Sequence, residues 1–372
     1  MAWYVGLMSG TSLDGVDGVL ARDDATDGPP LRAVAHASIP MPEALRAELL
    51  ALNRSGPDEL HRAALAANAI SELYALTVTR LLASAGVAAA DVAAIGAHGQ
   101  TVRHRPQAFD GIGYTLQLLN GALLAERTGI AVVCDFRSRD LAAGGQGAPL
   151  VPACHAAWFA RPGADIAVLN VGGIANLTLL RADGEVLGFD CGPGNLLMDL
   201  WCQRHQARAY DAGGAWAATG RVDAGLLARL LAEPFLALTP PKSTGRDLFD
   251  AGWLDARLGV AAPPPGDVMA TLAEFTACAA IGALRRHAPA TRSLLVCGGG
   301  AFNAHLMSRL AALLGGDATV HSTGEAGLPP DQVEALAFAW LAQAHLARRG
   351  GNLPAVTGAR GVRVLGALYP AG

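Results

Sequence analysis

The stretch Trp3-Tyr4-Val5-Gly6-Leu7-Met8-Ser9-Gly10-Thr11-Ser12-Leu13-Asp14-Gly15-Val16 joins an apolar run to a polar, glycine-bearing turn. A second apolar run over 16–21 follows at once, so the pattern predicts two strands joined by a tight turn. Turns built from Gly, Ser and Thr expose backbone N–H groups that can hold phosphate oxygens. Residues 10–12 are therefore a candidate phosphate-binding turn, and an ordinary Asp-Gly hairpin is the alternative.

The same pattern restarts near residue 165. Apolar runs at 165–170, 174–180 and 185–190 predict three more strands, with Gly172-Gly173 in the first turn. Each half thus opens with three strands and continues into helices, which predicts an α/β fold with an internal duplication. The punctuation at Arg161-Pro162-Gly163 predicts domains at 1–161 and 162–372. The last helix, at about 330–347, is a candidate for packing back on the first domain.

Composition excludes several classes of protein. The chain has 372 residues, a net charge of −4 and a hydrophobic fraction of 52%, which excludes a disordered chain and argues against a basic nucleic-acid-binding surface. Charged residues interrupt the Ala-rich stretches, and the N-terminus lacks signal-peptide features, so no membrane partner is expected. The six scattered cysteines form no C-x-x-C pair, which is typical of a reduced, cytoplasmic protein.

Of the 28 basic residues only Lys242 is a lysine. GC-rich codons favour arginine, which explains the excess of Arg. They do not explain why one lysine is retained, and a leftover surface lysine is one alternative.

Two further segments are candidates for ligand chemistry. Gly298-Gly299-Gly300 follows a predicted strand and precedes a predicted helix, which is where α/β sheets bind ligands. A strand-to-helix turn that needs positive φ would have the same sequence. Asp190, at the predicted end of the strand 185–190, is placed to act as a general base. The alternative is that Asp190 caps the following helix.

Polar clusters follow two other predicted strands. His98 lies in His98-Gly99-Gln100-Thr101, and Arg137 and Arg139 follow the strand that ends at Cys134. Such groups commonly line ligand sites, but a core histidine and surface ion pairs are the alternatives. Glu334, on the first turn of the last helix, could simply complement the helix dipole. A serine-hydrolase interpretation finds no Gly-x-Ser-x-Gly in strand-to-helix context.

Taken together, these motifs closely resemble the anhydro-N-acetylmuramic acid kinase family. The resemblance rests on blocks that span nearly the whole chain in one order: 6–17, 97–102, 135–137, 170–177, 189–195, Pro241-Lys242-Ser243-Thr244-Gly245-Arg246, 297–303 and 330–335.

The resemblance implies two ribonuclease-H-like domains of the actin-like ATPase fold, with ATP in the cleft between them. It implies an enzyme that uses ATP, Mg²⁺ and water to convert 1,6-anhydro-N-acetylmuramic acid into N-acetylmuramic acid 6-phosphate, in cytoplasmic peptidoglycan recycling. It also suggests a homodimer. The alternatives are a sugar kinase whose acceptor is an intact hydroxyl, and a non-catalytic nucleotide switch like the heat-shock ATPases.

The resemblance also implies roles for single residues. Asp190 is the expected catalytic base. The residues expected to bind ATP are Gly10, Thr11, Ser12, Leu13, Asp14, Gly15, Val16, Asp17, Gly172, Gly173, Asn176, Gly298, Gly299, Gly300 and Asn303. The residues expected to bind the sugar are His98, Arg137, Gly194, Asn195, Glu334 and Lys242, and Lys242 could equally reach the phosphate. The metal ligands stay open: Asp14 and Asp17 could hold Mg²⁺ through water. Asn170 replaces the Asp of many relatives in the wider superfamily, and because asparagine binds Mg²⁺ poorly, direct ligation of the metal by Asn170 is not expected.

Overall fold

The computed structural model describes residues 2–23, 30–245, 248–259, 262–316 and 318–372. Arg246, which belongs to one of the family-like blocks, lies outside the described residues. The chain divides into two compact units. The first comprises Met1–Trp158 and Gln332–Gly372, and the second comprises Phe159–Asp331. The last long helix is therefore part of the first unit.

The described residues form strands and helices whose bounds follow in chain order. The strands are β1 (Trp3–Ser9), β2 (Gly15–Arg22), β3 (Arg32–Pro40), β4 (Val92–Pro106), β5 (Gly113–Leu118), β6 (Val132–Cys134), β7 (Ile166–Val171), β8 (Ile174–Leu180), β9 (Val186–Pro193), β10 (Ser293–Cys297), β11 (Thr319–Ser322) and β12 (Ala367–Tyr369). The α-helices are α1 (Glu43–Ala51), α2 (Glu59–Ala85), α3 (Gly121–Thr128), α4 (Ser138–Ala142), α5 (Val151–Phe159), α6 (Leu196–Gln206), α7 (Ala224–Leu231), α8 (Pro234–Ala237), α9 (Ala251–Leu258), α10 (Pro265–His287), α11 (Ala304–Leu314), α12 (Val333–Leu346) and α13 (Pro354–Thr357).

The predicted duplication is confirmed by the order of the strands. In the first unit the sheet runs β12-β6-β4-β1-β2-β3, with β5 paired to β4, and in the second it runs β11-β10-β7-β8-β9. Each sheet thus combines an antiparallel meander of three strands with two parallel strands beside its first strand. Helices and mixed sheets make both units α/β, as the sequence predicts.

Two strands are longer than predicted, and both corrections concern candidate site residues. His98 was expected after a strand but lies within β4, because the second half of β4 pairs with β5 from Gln100 to Pro106. Asp190 was expected at a strand end but lies within β9, which continues to Pro193 past a register irregularity at Ala175/Asn176. The apolar runs end at these points, but the strand pairing continues through polar and glycine residues. The apolar pattern alone therefore predicts strands that are too short.

Helix α10 is the one described helix that is long and apolar enough to cross a membrane by length and composition. Most of its apolar window, 83%, is buried inside the protein, and it packs in the core of the second unit with α6, α7 and α11. Its composition therefore fits a core helix.

In the first unit, α12 approaches the sheet at backbone distance. A Cβ atom added at Gly6 of β1 would overlap the carbonyl oxygen of Ala335, and one added at Gly96 of β4 would overlap that of Phe338. Neither glycine has a positive φ. Close approach, not an unusual backbone conformation, is what requires glycine at these two positions.

We expect Gly96→Ala to lower the free energy of unfolding by about 3 kcal/mol or more, at the upper end of overpacking costs, because backbone atoms of α12 must move. Denaturant titration followed by circular dichroism measures this loss. The control is Gly282→Ala in α10, where an added Cβ meets nothing within 4 Å. There alanine should be neutral or stabilise by up to about 1 kcal/mol. Equal stabilities of the two variants would contradict the close packing.

Candidate active site

The first candidate element is the turn between β1 and β2. Its backbone is closed by the Leu13 N–H, which donates to the Gly10 carbonyl at 3.3 Å, and Leu13 has a φ of +59°. The Ser12 hydroxyl donates to Asp14 at 2.8 Å. Leu13 and Val16 point into the core, so these two residues can reach a ligand only with their backbone. Thr11 and Asp14 are exposed.

Gln100 fixes this turn from β4. Its amide nitrogen donates to the Gly10 carbonyl at 3.1 Å, and its amide oxygen accepts a hydrogen bond from the Ser9 hydroxyl. Gln100 and Ser9 are both buried. A buried amide whose nitrogen and oxygen both form hydrogen bonds keeps the glycine-bearing turn in one conformation.

His98 and Arg137 form one cluster in the first unit, as candidate substrate-binding residues. The Arg137 guanidinium contacts the Nε2 atom of His98 through Nε at 3.2 Å and Nη2 at 2.9 Å, and Nη1 donates to the Gly147 carbonyl at 2.8 Å. Because Nε2 accepts, the imidazole is neutral, with its proton on Nδ1. Burial, and then the charge of Arg137, lower the pKa of His98 to about 3.

A buried carboxylate holds the loop that Arg137 contacts. Asp140 is fully buried and accepts hydrogen bonds from the Gly147 N–H at 2.7 Å, from Asn352 at 2.7 Å and from Thr357 at 2.8 Å. The Gly147 carbonyl that receives Arg137 is thereby fixed. Arg139, the other arginine of the sequence cluster, is exposed.

The remaining candidates of the first unit lie on two elements. Glu334 is on the first turn of α12, as predicted. On the same helix the Phe338 ring lies 4.8 Å from the ring of His98, so α12 contributes to the His98 and Arg137 cluster. Asp17 lies in β2, where a carboxylate oxygen is 3.7 Å from Nε2 of His36.

In the second unit, backbone groups of Lys242 and Thr244 hold both the main chain and the side chain of Asp190. Its own N–H donates to the Lys242 carbonyl at 3.2 Å, and its Oδ2 accepts the Thr244 N–H at 2.9 Å. The alternative that it caps the next helix is wrong, because α6 has Asn195 at its N-cap and no side-chain capping bond. Asp190 is partly exposed, which leaves it accessible to a substrate.

The Gly172-Gly173 turn and the Gly194-Asn195 turn form one structure. The N–H groups of Gly194 and Asn195 donate to the carbonyls of Gly173 and Gly172 at 2.9 and 2.8 Å. The Asn195 side chain donates to the Val171 carbonyl at 3.1 Å. Candidates that the sequence assigned to ATP and to the sugar are thus neighbours.

A row of polar side chains crosses the second sheet. Asn170, Asn176 and Asp190 are register partners on β7, β8 and β9, so their side chains share one face. The Oδ1 atoms of Asn170 and Asn176 are buried and have no hydrogen-bond partner within the described part of the chain. A Cβ atom added at Gly298 would overlap the Asn170 oxygen, so the 298–300 turn lies against this row.

Asn303 and Lys242 are both engaged with the protein itself. The Asn303 oxygen caps α11 by accepting the Leu306 N–H at 2.9 Å. The Lys242 ammonium donates to the carbonyls of Phe235 and Leu236 at 3.1 and 3.2 Å.

The donor set fits a hydrated Mg²⁺ ion better than a protein-enclosed metal. Among the described residues no three His, Cys, Asp or Glu side chains cluster as a metal site. The unpartnered amide oxygens of Asn170 and Asn176 are hard donors, and Mg²⁺ usually keeps several waters and binds substrate phosphates. These residues could therefore hold Mg²⁺ with the help of water.

Known proteins are similar to this chain over nearly its whole length. The family model described as anhydro-N-acetylmuramic acid kinase matches residues 2–371. An anhydro-N-acetylmuramic acid kinase of Variovorax paradoxus is 61% identical over 99% of both chains, and one of Bordetella petrii is 62% identical over 99% of this chain and 96% of its own. Among solved structures, the activator of the 2-hydroxyisocaproyl-CoA dehydratase from Clostridium difficile covers 91% of this chain and 92% of its own, with 13% identity and a TM-score of 0.47.

Two units of the same strand order, each with a glycine-bearing turn between its first two strands, define a duplicated α/β protein. The full-length match is more specific. The chain belongs to the anhydro-N-acetylmuramic acid kinase family.

Three supporting residues were not assigned a role from sequence. Gln100 and Thr244 lie inside motifs that were recognised, but nothing in a single sequence distinguishes their contacts from those of their neighbours. Asp140 follows Arg137 by three residues, and its burial depends on Asn352 and Thr357, which are more than 200 residues away. Local spacing carries no signal for such a contact.

We expect His98 to make stability fall in mild acid. Its pKa is about 3 in the folded chain and about 6.5 when unfolded, so below pH 6.5 the unfolded state binds the extra proton. Between pH 5.5 and 4 this contributes a loss of about 1.4 kcal/mol per pH unit. Unfolding titrations over this range measure the slope.

The variant for this test is His98→Gln, because the amide oxygen can still accept from Arg137 but does not titrate. All carboxylates are shared with wild type, so the difference between the two slopes isolates His98. Parallel pH profiles would contradict a neutral, buried imidazole.

Proposed function

We propose that this kinase uses ATP and water to convert 1,6-anhydro-N-acetylmuramic acid into N-acetylmuramic acid 6-phosphate and ADP, in the recycling of cell-wall peptidoglycan. The observation that carries the proposal is the identity of about 60% with kinases of that name over nearly the whole chain. The placement of Asp190 supports it, since a carboxylate in a fixed orientation is what the ring-opening step needs.

The chemistry differs from that of an ordinary sugar kinase, because oxygen 6 of the substrate is bonded to carbon 1 and carries no proton. Asp190 takes one proton from a water molecule, whose oxygen forms a bond to carbon 1 while the bond from carbon 1 to oxygen 6 breaks. Oxygen 6 then forms a bond to the γ-phosphorus, and the bond to the ADP oxygen breaks. The proton leaves Asp190 at the end of the cycle.

For the nucleotide, we assign the turn 10–17, Gly172, Gly173, Asn176, the 298–300 turn and Asn303. In a chain of net charge −4, phosphate binding is expected to depend on backbone N–H groups and on Mg²⁺ more than on a basic surface. When bound, Mg²⁺ would neutralise charge on the phosphates, and Asn170 and Asn176 are the side chains proposed to hold it or its waters.

For the sugar, we assign His98, Arg137, Gly194, Asn195 and Glu334. Arg137 is the proposed partner of the lactyl carboxylate, because guanidinium binds carboxylates bidentately. The His98 contact and the Gly147 carbonyl hold that guanidinium in a fixed orientation before substrate arrives, which supports the assignment.

We further propose that the enzyme acts in the cytoplasm as a homodimer. All six cysteines are free, which is typical of proteins in a reducing compartment.

We expect Asp190→Asn to lower kcat by about 10²–10⁴-fold, because general base catalysis is lost while the Asn side chain can still accept the Thr244 N–H. Steady-state ADP release with the anhydro sugar measures the loss. The control is Asp183→Asn, an exposed residue of the β8–β9 turn, which should keep normal turnover. Near-normal kcat in Asp190→Asn would remove the base assignment.

We expect one ¹⁸O atom from labelled water at carbon 1 of the product, since water opens the ring. Mass spectrometry of the product after turnover in H₂¹⁸O measures incorporation. Preformed product kept in the same water corrects for exchange at the anomeric carbon, and free N-acetylmuramic acid is the control acceptor. Incorporation no greater than exchange would indicate a kinase that phosphorylates an intact hydroxyl.

A further inference from the structure

Lys242, the single lysine of the chain, is buried in the second unit with 7% of its surface exposed. Its ammonium donates to the carbonyl oxygens of Phe235 and Leu236, which belong to the short helix α8. These two bonds attach the side chain to α8 from outside the helix, so Lys242 links two separate segments of the chain.

Two aromatic rings complete the surroundings of the ammonium. Nζ lies 4.7 Å from the centre of the Phe235 ring and 5.8 Å from that of Phe189, distances at which a cation is attracted by the ring face. Burial lowers the pKa of Lys242 from its ordinary value. Carbonyl oxygens and ring faces are both partners for a cation, and Phe189 is the neighbour of Asp190 in β9.

The backbone beside this side chain contacts Asp190 directly. The Lys242 carbonyl accepts the Asp190 N–H at 3.2 Å, and two residues further on the Thr244 N–H donates to Asp190 Oδ2 at 2.9 Å. The segment 242–244 therefore fixes both the backbone and the carboxylate of Asp190. Any displacement of this segment would turn the carboxylate.

We propose that Lys242 is a positioning residue for Asp190, which anchors the segment 242–244 to α8 and so keeps the Thr244 N–H directed at the carboxylate. The inference rests on the proposed function, in which Asp190 is the base. The competing hypothesis, from the sequence, is that the ammonium reaches phosphate or sugar.

The same geometry gives a reason for lysine in an arginine-rich chain. The site between α8 and the two rings receives a compact ammonium on a flexible stem. A guanidinium is larger and planar, and its donors form a fixed fork. Arginine at this position would have to displace either α8 or the segment that holds Asp190.

The test compares Lys242→Met, Lys242→Arg and a matched control, Arg286→Met. Arg286 is exposed and donates to the same Leu236 carbonyl at 2.9 Å, but it is not part of the segment 242–244. We expect kcat to fall about 10²-fold in Lys242→Met, because a displacement of about 1 Å at a reacting group can cost that much. Lys242→Arg should retain less than a tenth of wild-type kcat. The kcat of Arg286→Met should equal that of wild type.

The separate kinetic constants distinguish positioning from binding. KM for ATP and KM for the anhydro sugar should stay within about twofold in Lys242→Met. A rise of either KM with kcat retained would overturn the proposal in favour of direct ligand contact, and unchanged kcat and KM would overturn it outright. If Lys242→Met does not fold by circular dichroism, Lys242→Gln takes its place, with kcat at least tenfold lower and both KM values unchanged as the expected result.

Asp190→Asn is measured in the same series. If it loses turnover while folded Lys242 variants keep wild-type kcat, the positioning role fails and the proposed function stands. If Asp190→Asn keeps turnover, the base assignment itself fails.

Discussion

The carbonyl oxygens of Ala335 and Phe338 lie so close to β1 and β4 that only hydrogen atoms fit at Gly6 and Gly96. This contact between backbones determines where α12 sits in the first unit. The position of α12 in turn determines the position of Glu334 and of the Phe338 ring, which packs against both His98 and Phe136. Residues from distant parts of the sequence thereby form one cluster. This cluster depends on glycine, which has no side chain, at positions 6 and 96.

The second unit fixes Asp190, the proposed base, by a different means. Asp190 is held by main-chain groups of the segment 242–244, whose position depends on a buried ammonium and its carbonyl and aromatic partners. A main-chain N–H keeps its direction only if the chain segment that carries it is held in place. A buried charge away from the carboxylate can thus set the orientation of the proposed base.

Much of this arrangement follows from local sequence. Apolar runs and glycine turns predict the duplicated strands, and Asn120 and Asp223 cap helices as their residue types suggest. The sequence does not predict the ends of β4 and β9, because cross-strand pairing extends both strands through polar residues. The surroundings of Lys242 could not be predicted, since its partners at 189 and 235 are set by tertiary packing. The same holds for Asp140, because the side chains that donate to it, Asn352 and Thr357, lie near the C-terminus.

The buried lysine also gives the chain an unusual pattern of protease susceptibility. A protease that cuts only after lysine has one site here, the bond between Lys242 and Ser243. Since proteolysis requires the local chain to detach, cleavage at that bond would report the opening of a single segment, the one in contact with Asp190. Cleavage would give two fragments of predictable mass and no others. They would form either at the rate at which this segment opens or at a rate proportional to the population of its open form.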